Sequence, residues 1–301
     1  MSAKKVRRAD KAGTWYTGDG VALQQELDQY VRNANRNVRL PLRAIIGPHA
    51  GYSYSGPTAA YAYGAVDVTG IQRVFLLGPS HYKYLPNCAV TALDEYETPL
   101  GNITIDREVC SKLQDVSSGE LFATMSRKMD EQEHSIELHL PYIYHTFAER
   151  SVKLVPIMVG SLSENDAEAV AQTLIPYFVD PANFFVFSSD FCHWGERFSY
   201  QYYDKSQGPI WKSIEYVDRL GMDVIETQSP EAFQRYMETY QKPTICGRNP
   251  IRVLLHMLHS LPNQFDVSFN YYDQSSKCTK STDSSVSYVS GLVQPRPDTS
   301  P

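Results

Sequence analysis

The sequence has few of the features that define several large classes of protein. Its 301 residues contain five cysteines, which are widely spaced and form no CxxC pair: Cys88, Cys110, Cys192, Cys246 and Cys278. This pattern excludes a disulfide scaffold, fits a reducing compartment and predicts that any cysteine chemistry involves single residues. No apolar run approaches the roughly 18 residues of a membrane helix, and stretches such as 74–77 have the length of strands.

An excess of positive charge is also absent. The chain has 28 Lys and Arg against 34 Asp and Glu, which gives a net charge of −6. It therefore has no overall attraction to nucleic acid or anionic lipid. Four basic residues between positions 4 and 8 precede no apolar run, so we predict a flexible, solvated tail over residues 1–10 and no targeting signal. We predict a second flexible tail over residues 294–301.

Motifs for two common chemistries are missing. No GxGxxG follows a strand, and the chain has no Walker A loop and no GxSxG elbow. Nucleotide binding and serine-hydrolase chemistry therefore have no support. The composition, 42% hydrophobic and 21% charged, is that of a globular protein with a large core.

Short apolar segments alternate with segments of helical length, which predicts βαβ units and a mostly parallel sheet. Strands are predicted at 43–47, 73–78, 153–159 and 184–188, with antiparallel strands at 267–271 and 286–293. Helices are predicted at 21–36, 57–66, 106–113, 133–142, 163–177, 207–227, 230–240 and 249–258. The expected N-cap residues of three of these helices are Asp106, Ser163 and Asn249.

Three predicted strands lead directly to polar side chains that can bind a metal. These are His49, His81 and Asp190, and the third strand is followed by Cys192 and His193. Ligand sites of open parallel sheets form outside the carboxyl ends of the strands. One histidine after a strand is most often a hydrogen-bonding turn residue, but two that follow near-identical apolar-Gly-Pro segments favour a shared site.

Cys246 is a fourth candidate, because it comes directly before the helix predicted to begin at Asn249. The dipole at a helix N-terminus favours a thiolate, the form that binds metals. Taken alone, Cys246 also fits an inert buried thiol.

The segment EHSIELH at 133–139 is superficially similar to zinc-protease motifs but does not match them. His134 and His139 are five residues apart, which separates them by about 140° around a helix, whereas ligands at i and i+4 share a face. Either His134 or Glu137 remains a candidate outer partner of the site. The other three histidines are predicted to be structural: His145, His256 and His259.

Five blocks of the sequence resemble the Memo family, the mediators of cell motility driven by receptor tyrosine kinases. They are GPHAGY (47–52), LGPSH (77–81), EHSIE (133–137), SSDFCHWG (188–195) and ICGR (245–248). Their order and number make the resemblance specific over about residues 11–293.

The resemblance implies one α/β domain over residues 11–293, with a mostly parallel or mixed sheet flanked by helices, as in LigB-type class III extradiol dioxygenases. Those enzymes hold Fe(II) with two histidines and a glutamate. The metal histidines of the family correspond to His49 and His81, and its third ligand to Cys246. A thiolate in place of the carboxylate suits copper as well as iron, so we do not expect classical extradiol activity.

The resemblance also implies the remaining residues of the site. His193 stands where the dioxygenases keep an acid/base histidine, and with Asp190 it is the candidate catalytic pair. The expected ligand pocket consists of Trp15, Tyr54, Asp190, His193 and Arg248. The implied partners are signalling proteins, phosphotyrosine peptides of receptor tyrosine kinases, and small-GTPase or cytoskeletal factors. The implied location is the cytoplasm, with the nucleus as a second location.

Three functions are therefore open at the level of the sequence. The leading hypothesis is a cytosolic protein that binds copper or iron and acts in motility and reactive-oxygen-species signalling. The second is a non-haem iron dioxygenase of extradiol type, which Cys246 disfavours. The third is a metal-free adaptor for phosphotyrosine peptides, in which Arg248 attracts the phosphate and Asp190 repels it unless a metal ion supplies positive charge.

Overall fold

The computed structural model describes residues 3–34, 39–116, 119–148, 150–240 and 244–297. Its strands are β1 (Val6–Arg7), β2 (Ala44–Gly47), β3 (Arg73–Pro79), β4 (Cys88–Val90), β5 (Glu95–Thr98), β6 (Gly101–Thr104), β7 (Phe122–Thr124), β8 (Lys153–Val159), β9 (Asn183–Ser188), β10 (His193–Trp194), β11 (Phe265–Gln274) and β12 (Ser285–Pro295). Its helices are α1 (Gly20–Asn33), α2 (Tyr52–Tyr63), α3 (Arg107–Val116), α4 (Arg127–Gln132), α5 (His134–Glu137), α6 (Leu140–Thr146), α7 (Glu164–Val179), α8 (Ile210–Glu226), α9 (Pro230–Thr239) and α10 (Arg248–His259).

A central mixed sheet organises the fold. Its strand order is β10-β12-β2-β9-β3-β8-β4-β7, and β11 pairs with β12. The four central strands β2, β9, β3 and β8 are parallel, whereas β12 and β4 run antiparallel to their inner neighbours. The central strands are almost fully buried because both faces are covered, which explains their continuous apolar sequences. A smaller sheet has the order β1-β5-β6.

Helices flank the central sheet, as expected from the alternation of strands and helices. Helix α2 contacts β2 and β12, and α10 contacts β3, β9 and the long helix α7. One cluster of buried apolar side chains extends from Tyr16 to Val293. None of the helices within the described residues has the length and apolar character of a membrane-spanning segment.

The expected solvated tail over residues 1–10 is wrong for its second half. Val6–Arg7 pairs with β5, and the Arg7 side chain is fully buried. Its guanidinium forms ion pairs with Asp130 and Glu137, so the charge is neutralised inside the protein. Residues 1–2 lie outside the described residues. At the other end β12 continues to Pro295, and the final residues 298–301 also lie outside the described part.

Three local predictions need correction. Helix α2 begins at Tyr52 and contains Pro57 in its interior, so the proline does not mark its start. The single helix expected over 133–142 is two short helices, because Pro141 lies in the first turn of α6. Helix α10 begins at Arg248, and the Asn249 side chain donates a hydrogen bond to the Gly160 carbonyl instead of capping the helix. The predicted caps of α3 and α7 do form.

Candidate metal centre

The carboxyl ends of β2, β3 and β9 bring three of the candidate residues to one edge of the sheet. Gly47 of β2 is in register with Ser188 of β9, and these strands lead to His49 and Asp190. Strand β3 lies beside β9 and leads to His81. The imidazole rings of His49 and His81 are 5.2 Å apart between centroids. The parallel register therefore places side chains that are distant in sequence next to each other.

Cys246 reaches the same edge because Gly247 allows a close approach of two backbones. A Cβ at position 247 would lie 2.3 Å from Cβ of Ser189 and 2.4 Å from the Ser188 carbonyl oxygen. The Gly247 N–H instead donates a hydrogen bond of 3.0 Å to Ser189 Oγ. This contact positions the Cys246 sulfur 3.1 Å from Nε2 of His49.

The three side chains of His49, His81 and Cys246 offer ligand atoms that all lie within 4.8 Å of one another. A second group that meets the same condition is Asp190, His193 and Cys246. Ligands held about 2.0–2.3 Å from one ion lie roughly 3–4 Å apart, so the first three residues need only small rearrangements to share an ion. Two imidazoles and a thiol are a donor set suited to copper, zinc or iron.

Ser188 sets the proton position on His49. Its hydroxyl donates to the Ser135 carbonyl, so its oxygen must accept from both neighbouring imidazoles. Those imidazoles are His49, through Nδ1 at 2.6 Å, and His139, through Nε2 at 2.9 Å. Nδ1 of His49 therefore carries the proton, and its Nε2 lone pair faces Cys246. An anchored Nδ1–H is the usual support of a metal-binding histidine.

His81 and His193 are held in the same way. Nδ1 of His81 lies 3.1 Å from Oε1 of Glu133. Nδ1 of His193 lies 2.9 Å from the Phe191 carbonyl and 2.8 Å from the Thr244 carbonyl, and carbonyls can only accept. Each ring therefore keeps its proton on Nδ1 and leaves Nε2 free to bind a ligand.

Glu133 contacts the candidate ligand His81, and the sequence analysis missed it. Its carboxylate is fully buried and accepts hydrogen bonds from the His81 ring and from four backbone N–H groups, those of His81, Tyr82, His134 and Ser135. Burial alone would raise the pKa of Glu133, but these hydrogen bonds and the nearby histidines lower it to about 2. The available signal was its position before a helix, where an acidic side chain can cap the free N–H groups.

His134 lies beside the site, but Glu137 does not. The His134 ring stacks on His81 with centroids 4.6 Å apart, and burial lowers its pKa to about 4. Glu137 points away and binds Arg7 and the Tyr16 hydroxyl. Of the two outer partners left open by the sequence, the structure brings only His134 to the histidine cluster.

Asp190 lies beneath the site and connects two of the candidate ligands. Its carboxylate accepts a 2.8 Å hydrogen bond from the backbone N–H of His49. Its own backbone N–H donates to the Cys246 sulfur at 3.2 Å. Burial raises the pKa of Asp190 above its usual value, although His193 and the His49 N–H oppose the rise.

In the metal-free protein, the protonation states of the candidate ligands differ in part from those expected from the sequence. Burial lowers the pKa of His49 well below its usual value, so its ring is neutral. Burial raises the pKa of the Cys246 thiol well above its usual value, and Asp190 adds to the rise. The thiolate expected from the helix dipole is therefore wrong for the metal-free protein, because burial and the adjacent carboxylate outweigh the dipole. Of the five cysteines, which are all described, Cys246 alone is half-buried and the other four are buried.

A cavity of about 500 Å³ opens onto the candidate ligands. Its walls include His81, His193, Phe198, Cys246 and Arg248.

Two of the five expected pocket residues, His193 and Arg248, line this cavity. Asp190 is buried below it, and Trp15 packs against His134 with ring centroids 4.7 Å apart. Tyr54 lies on α2, is 60% exposed and is not part of the cavity wall.

The burial of His139 predicts that the metal-free protein is sensitive to acid. Burial lowers the pKa of His139 from 6.5 to about 3, so the unfolded chain binds the proton more readily. The stability contributed by the neutral ring is present above pH 6.5 and is lost as the pH falls toward 3. From about pH 7 to about pH 4.5 this loss should be about 2–3 kcal/mol in the free energy of unfolding, measured in urea.

The variant His139→Gln should show a smaller loss over the same pH interval, since its side chain does not titrate. NMR of the wild-type imidazole gives an independent check. A His139 ring that titrates near its ordinary pKa in the folded protein would contradict the prediction.

Comparisons with known proteins show which proteins this chain is similar to. The family model described as "Memo-like protein" matches residues 7–292. Protein MEMO1 of Xenopus tropicalis is 47% identical over 292 residues, covering 95% of this chain and 97% of its own length. Protein MEMO1 of Homo sapiens is 44% identical over 299 residues, covering 97% and 99%.

A solved structure supports the fold. The uncharacterised protein JW3007 of Escherichia coli K12 superposes with a TM-score of 0.51 at 10% identity, covering 82% of this chain and 98% of its own. The likeness is consistent with the expected LigB-like fold.

Proposed function

This chain belongs to the Memo family, and from that membership and the geometry of the metal centre we propose that it is a redox-active copper- or iron-binding protein. The observation that carries the proposal is the convergence of His49, His81 and Cys246, with both imidazoles held so that Nε2 is free. The proposed role is in cell motility, cytoskeletal and reactive-oxygen-species signalling in the cytoplasm. That role rests on the family resemblance.

The residues of this chain would prepare the site for an ion in three ways. Ser188 and Glu133 fix the imidazole tautomers of His49 and His81, and the thiol of Cys246 lies where its proton can be exchanged for a cation. A bound copper or iron ion would supply one-electron chemistry with oxygen-derived oxidants. Asp190, buried and connected to both His49 and Cys246, holds these two ligands in register.

The test is metal binding by the full chain, purified anaerobically without an affinity tag. Titration with Cu(I) and with Fe(II) against a competing chelator should show an ion bound at this centre. The variant His49→Ala should lose that ion. The matched control His145→Ala should retain it, because His145 is paired with Asp28 away from the centre. Equal affinities in all three proteins would contradict the proposal.

Binding should also release a proton, because the raised pKa of Cys246 keeps its sulfur protonated in the metal-free protein at neutral pH. The affinity should therefore rise about tenfold for each unit increase in pH near neutrality. Calorimetry in buffers of different ionisation enthalpy measures the proton count. Binding without proton release would exclude Cys246 as a thiolate ligand.

Two alternatives keep a place in these experiments. His193 faces the cavity with a free Nε2, so an extradiol dioxygenase is the second candidate. Rapid ring opening of protocatechuate by the iron-loaded protein would show that the protein is a dioxygenase. Iron binding without ring opening would favour the leading proposal. Arg248, exposed at the cavity, is the residue that would attract a phosphotyrosine peptide, the partner class that the resemblance implies.

A further inference from the structure

Tyr63 and His139 form a buried acid–base pair that no part of the metal centre described above uses. Both side chains are 1% exposed, and the Tyr63 hydroxyl lies 2.8 Å from Nδ1 of His139. Because Ser188 accepts from Nε2 of His139, that nitrogen carries the proton and Nδ1 must be the acceptor. The Tyr63 hydroxyl therefore donates a hydrogen bond to a basic nitrogen in the protein interior.

This pair is connected to the proposed metal ligand by a short hydrogen-bonded chain. From Tyr63 the chain passes through His139 to Ser188 and from Ser188 to Nδ1 of His49, with distances of 2.8, 2.9 and 2.6 Å. Hydrogen bonds in a buried network polarise one another. A positive charge on His139 therefore strengthens or weakens the hydrogen bond of His49 on the opposite side of the Ser188 hydroxyl.

Two other buried tyrosines, Tyr16 and Tyr96, donate to the carboxylates of Glu137 and Asp130, which lie outside the chain that leads to His49. Three further buried tyrosines have no base as acceptor. The hydroxyls of Tyr142 and Tyr52 donate to the carbonyls of Gly56 and Leu138, and the Tyr236 hydroxyl donates to the Val217 carbonyl. A carbonyl cannot take the proton of an oxidised phenol, whereas an imidazole can.

The Tyr63 ring also stacks on the Tyr142 ring, with centroids 4.9 Å apart and an angle of 12° between planes. This contact holds the Tyr63 ring in a fixed position beside His139.

We propose that Tyr63 is a redox-active residue that donates one electron to the metal centre while its proton moves to His139. The proposal rests on the proposed function, since it requires a redox-active ion at the centre. The oxidant is a peroxide, and its reduction to two waters takes two electrons and two solvent protons. A bound ion would be able to give one of these electrons, and Tyr63 would give the other, becoming a neutral tyrosyl radical beside a protonated His139. Two external thiols, which become a disulfide and release two protons, would return one electron to the tyrosyl radical and one to the oxidised centre, while His139 returns the phenolic proton.

The first arm of the test uses the full chain loaded with copper and mixed with hydrogen peroxide, then frozen for electron paramagnetic resonance. Wild-type protein should give a tyrosyl radical, identified by the spectral narrowing produced by ring-deuterated tyrosine. The variant Tyr63→Phe should lose this radical and keep its copper affinity. The matched control Tyr236→Phe should keep the radical. A radical of equal yield in Tyr63→Phe, or none in the wild type, would overturn the proposal for the loaded protein.

The second arm does not depend on the metal, so it separates this inference from the proposed function. Azide radicals generated by pulse radiolysis oxidise tyrosine in the metal-free chain. A long-lived radical that disappears in Tyr63→Phe and persists in Tyr236→Phe would show that the tyrosyl radical is located on Tyr63, beside His139. Decay that is the same in all three proteins would overturn it. A Tyr63-dependent radical in the metal-free chain, together with no copper binding, would contradict the proposed function and leave the Tyr63–His139 inference intact.

Discussion

Replacing Cys246 by serine is expected to weaken Cu(I) binding by more than about 100-fold, beyond the range that loss of an outer partner produces. The sulfur lies 3.1 Å from Nε2 of His49 and supplies the soft donor of the centre. A serine hydroxyl is harder and remains protonated at neutral pH, so it neither matches Cu(I) nor neutralises its charge. Competition with a Cu(I) chelator measures the affinity, and Fe(II) binding should fall less than Cu(I) binding.

The same substitution should leave the fold almost unchanged. Cys246 is half-buried, and its contacts with the Asp190 backbone are long sulfur hydrogen bonds. We expect the free energy of unfolding of metal-free Cys246→Ser to change by about 1 kcal/mol or less. The control Cys110→Ala removes a fully buried thiol from α3, so it should cost stability and leave Cu(I) affinity unchanged. If Cys246→Ser lost stability and kept its affinity, Cys246 would be a structural residue.

The substitution Glu133→Gln should have the second largest effect on stability and metal affinity. It removes hydrogen bonds to the loop that holds His81 and to the first N–H groups of α5. The Glu133 carboxylate accepts five hydrogen bonds. In a glutamine, one of the two oxygens is replaced by an NH₂ group, which is a donor and cannot accept hydrogen bonds from the N–H groups that face it. Loss of a buried charge that satisfies several donors should cost about 3 kcal/mol in the free energy of unfolding. Urea unfolding of the metal-free protein measures this loss.

Metal affinity of Glu133→Gln should fall about 10- to 100-fold, because the Nδ1–H of His81 loses its carboxylate partner. The matched control is Glu131→Gln, the same chemical change two positions away. Glu131 is also buried but pairs with the exposed side chains of Arg127 and Arg8 and with none of the candidate ligands named above, so the control should keep the metal affinity. NMR of the His81 ring supplies a second readout, since the proton should leave Nδ1 for part of the population in Glu133→Gln. An unchanged tautomer and unchanged affinity would remove Glu133 from the metal centre.

Much of the architecture could be predicted from the sequence because its signals are local. Continuous apolar segments of strand length, each ending at a polar residue, predicted the parallel sheet and the shared edge at His49, His81 and Asp190. The parallel register of β2, β9 and β3 brings those positions together. The capping residues Asp106 and Ser163 were equally local, since a cap acts within one turn of its helix.

Local patterns failed where a distant partner decides the conformation. Arg7 looks like part of a basic tail, and only the carboxylates of Asp130 and Glu137, more than a hundred residues away, explain its burial. Asn249 looks like a helix cap, but the Gly160 carbonyl takes its side chain and the helix begins one residue earlier.

The chemistry of the centre also depended on tertiary structure. The sequence by itself determined which side chains stand at the edge of the sheet, because the order and length of the apolar strands are written in consecutive residues. Tertiary structure decided their state: Gly247 against Ser189 brings the Cys246 sulfur to His49, and burial beside Asp190 keeps that sulfur protonated. Contact distance, burial and the hydrogen-bond partner of each ring nitrogen depend on residues far apart in the chain, so they exist only once the chain has folded.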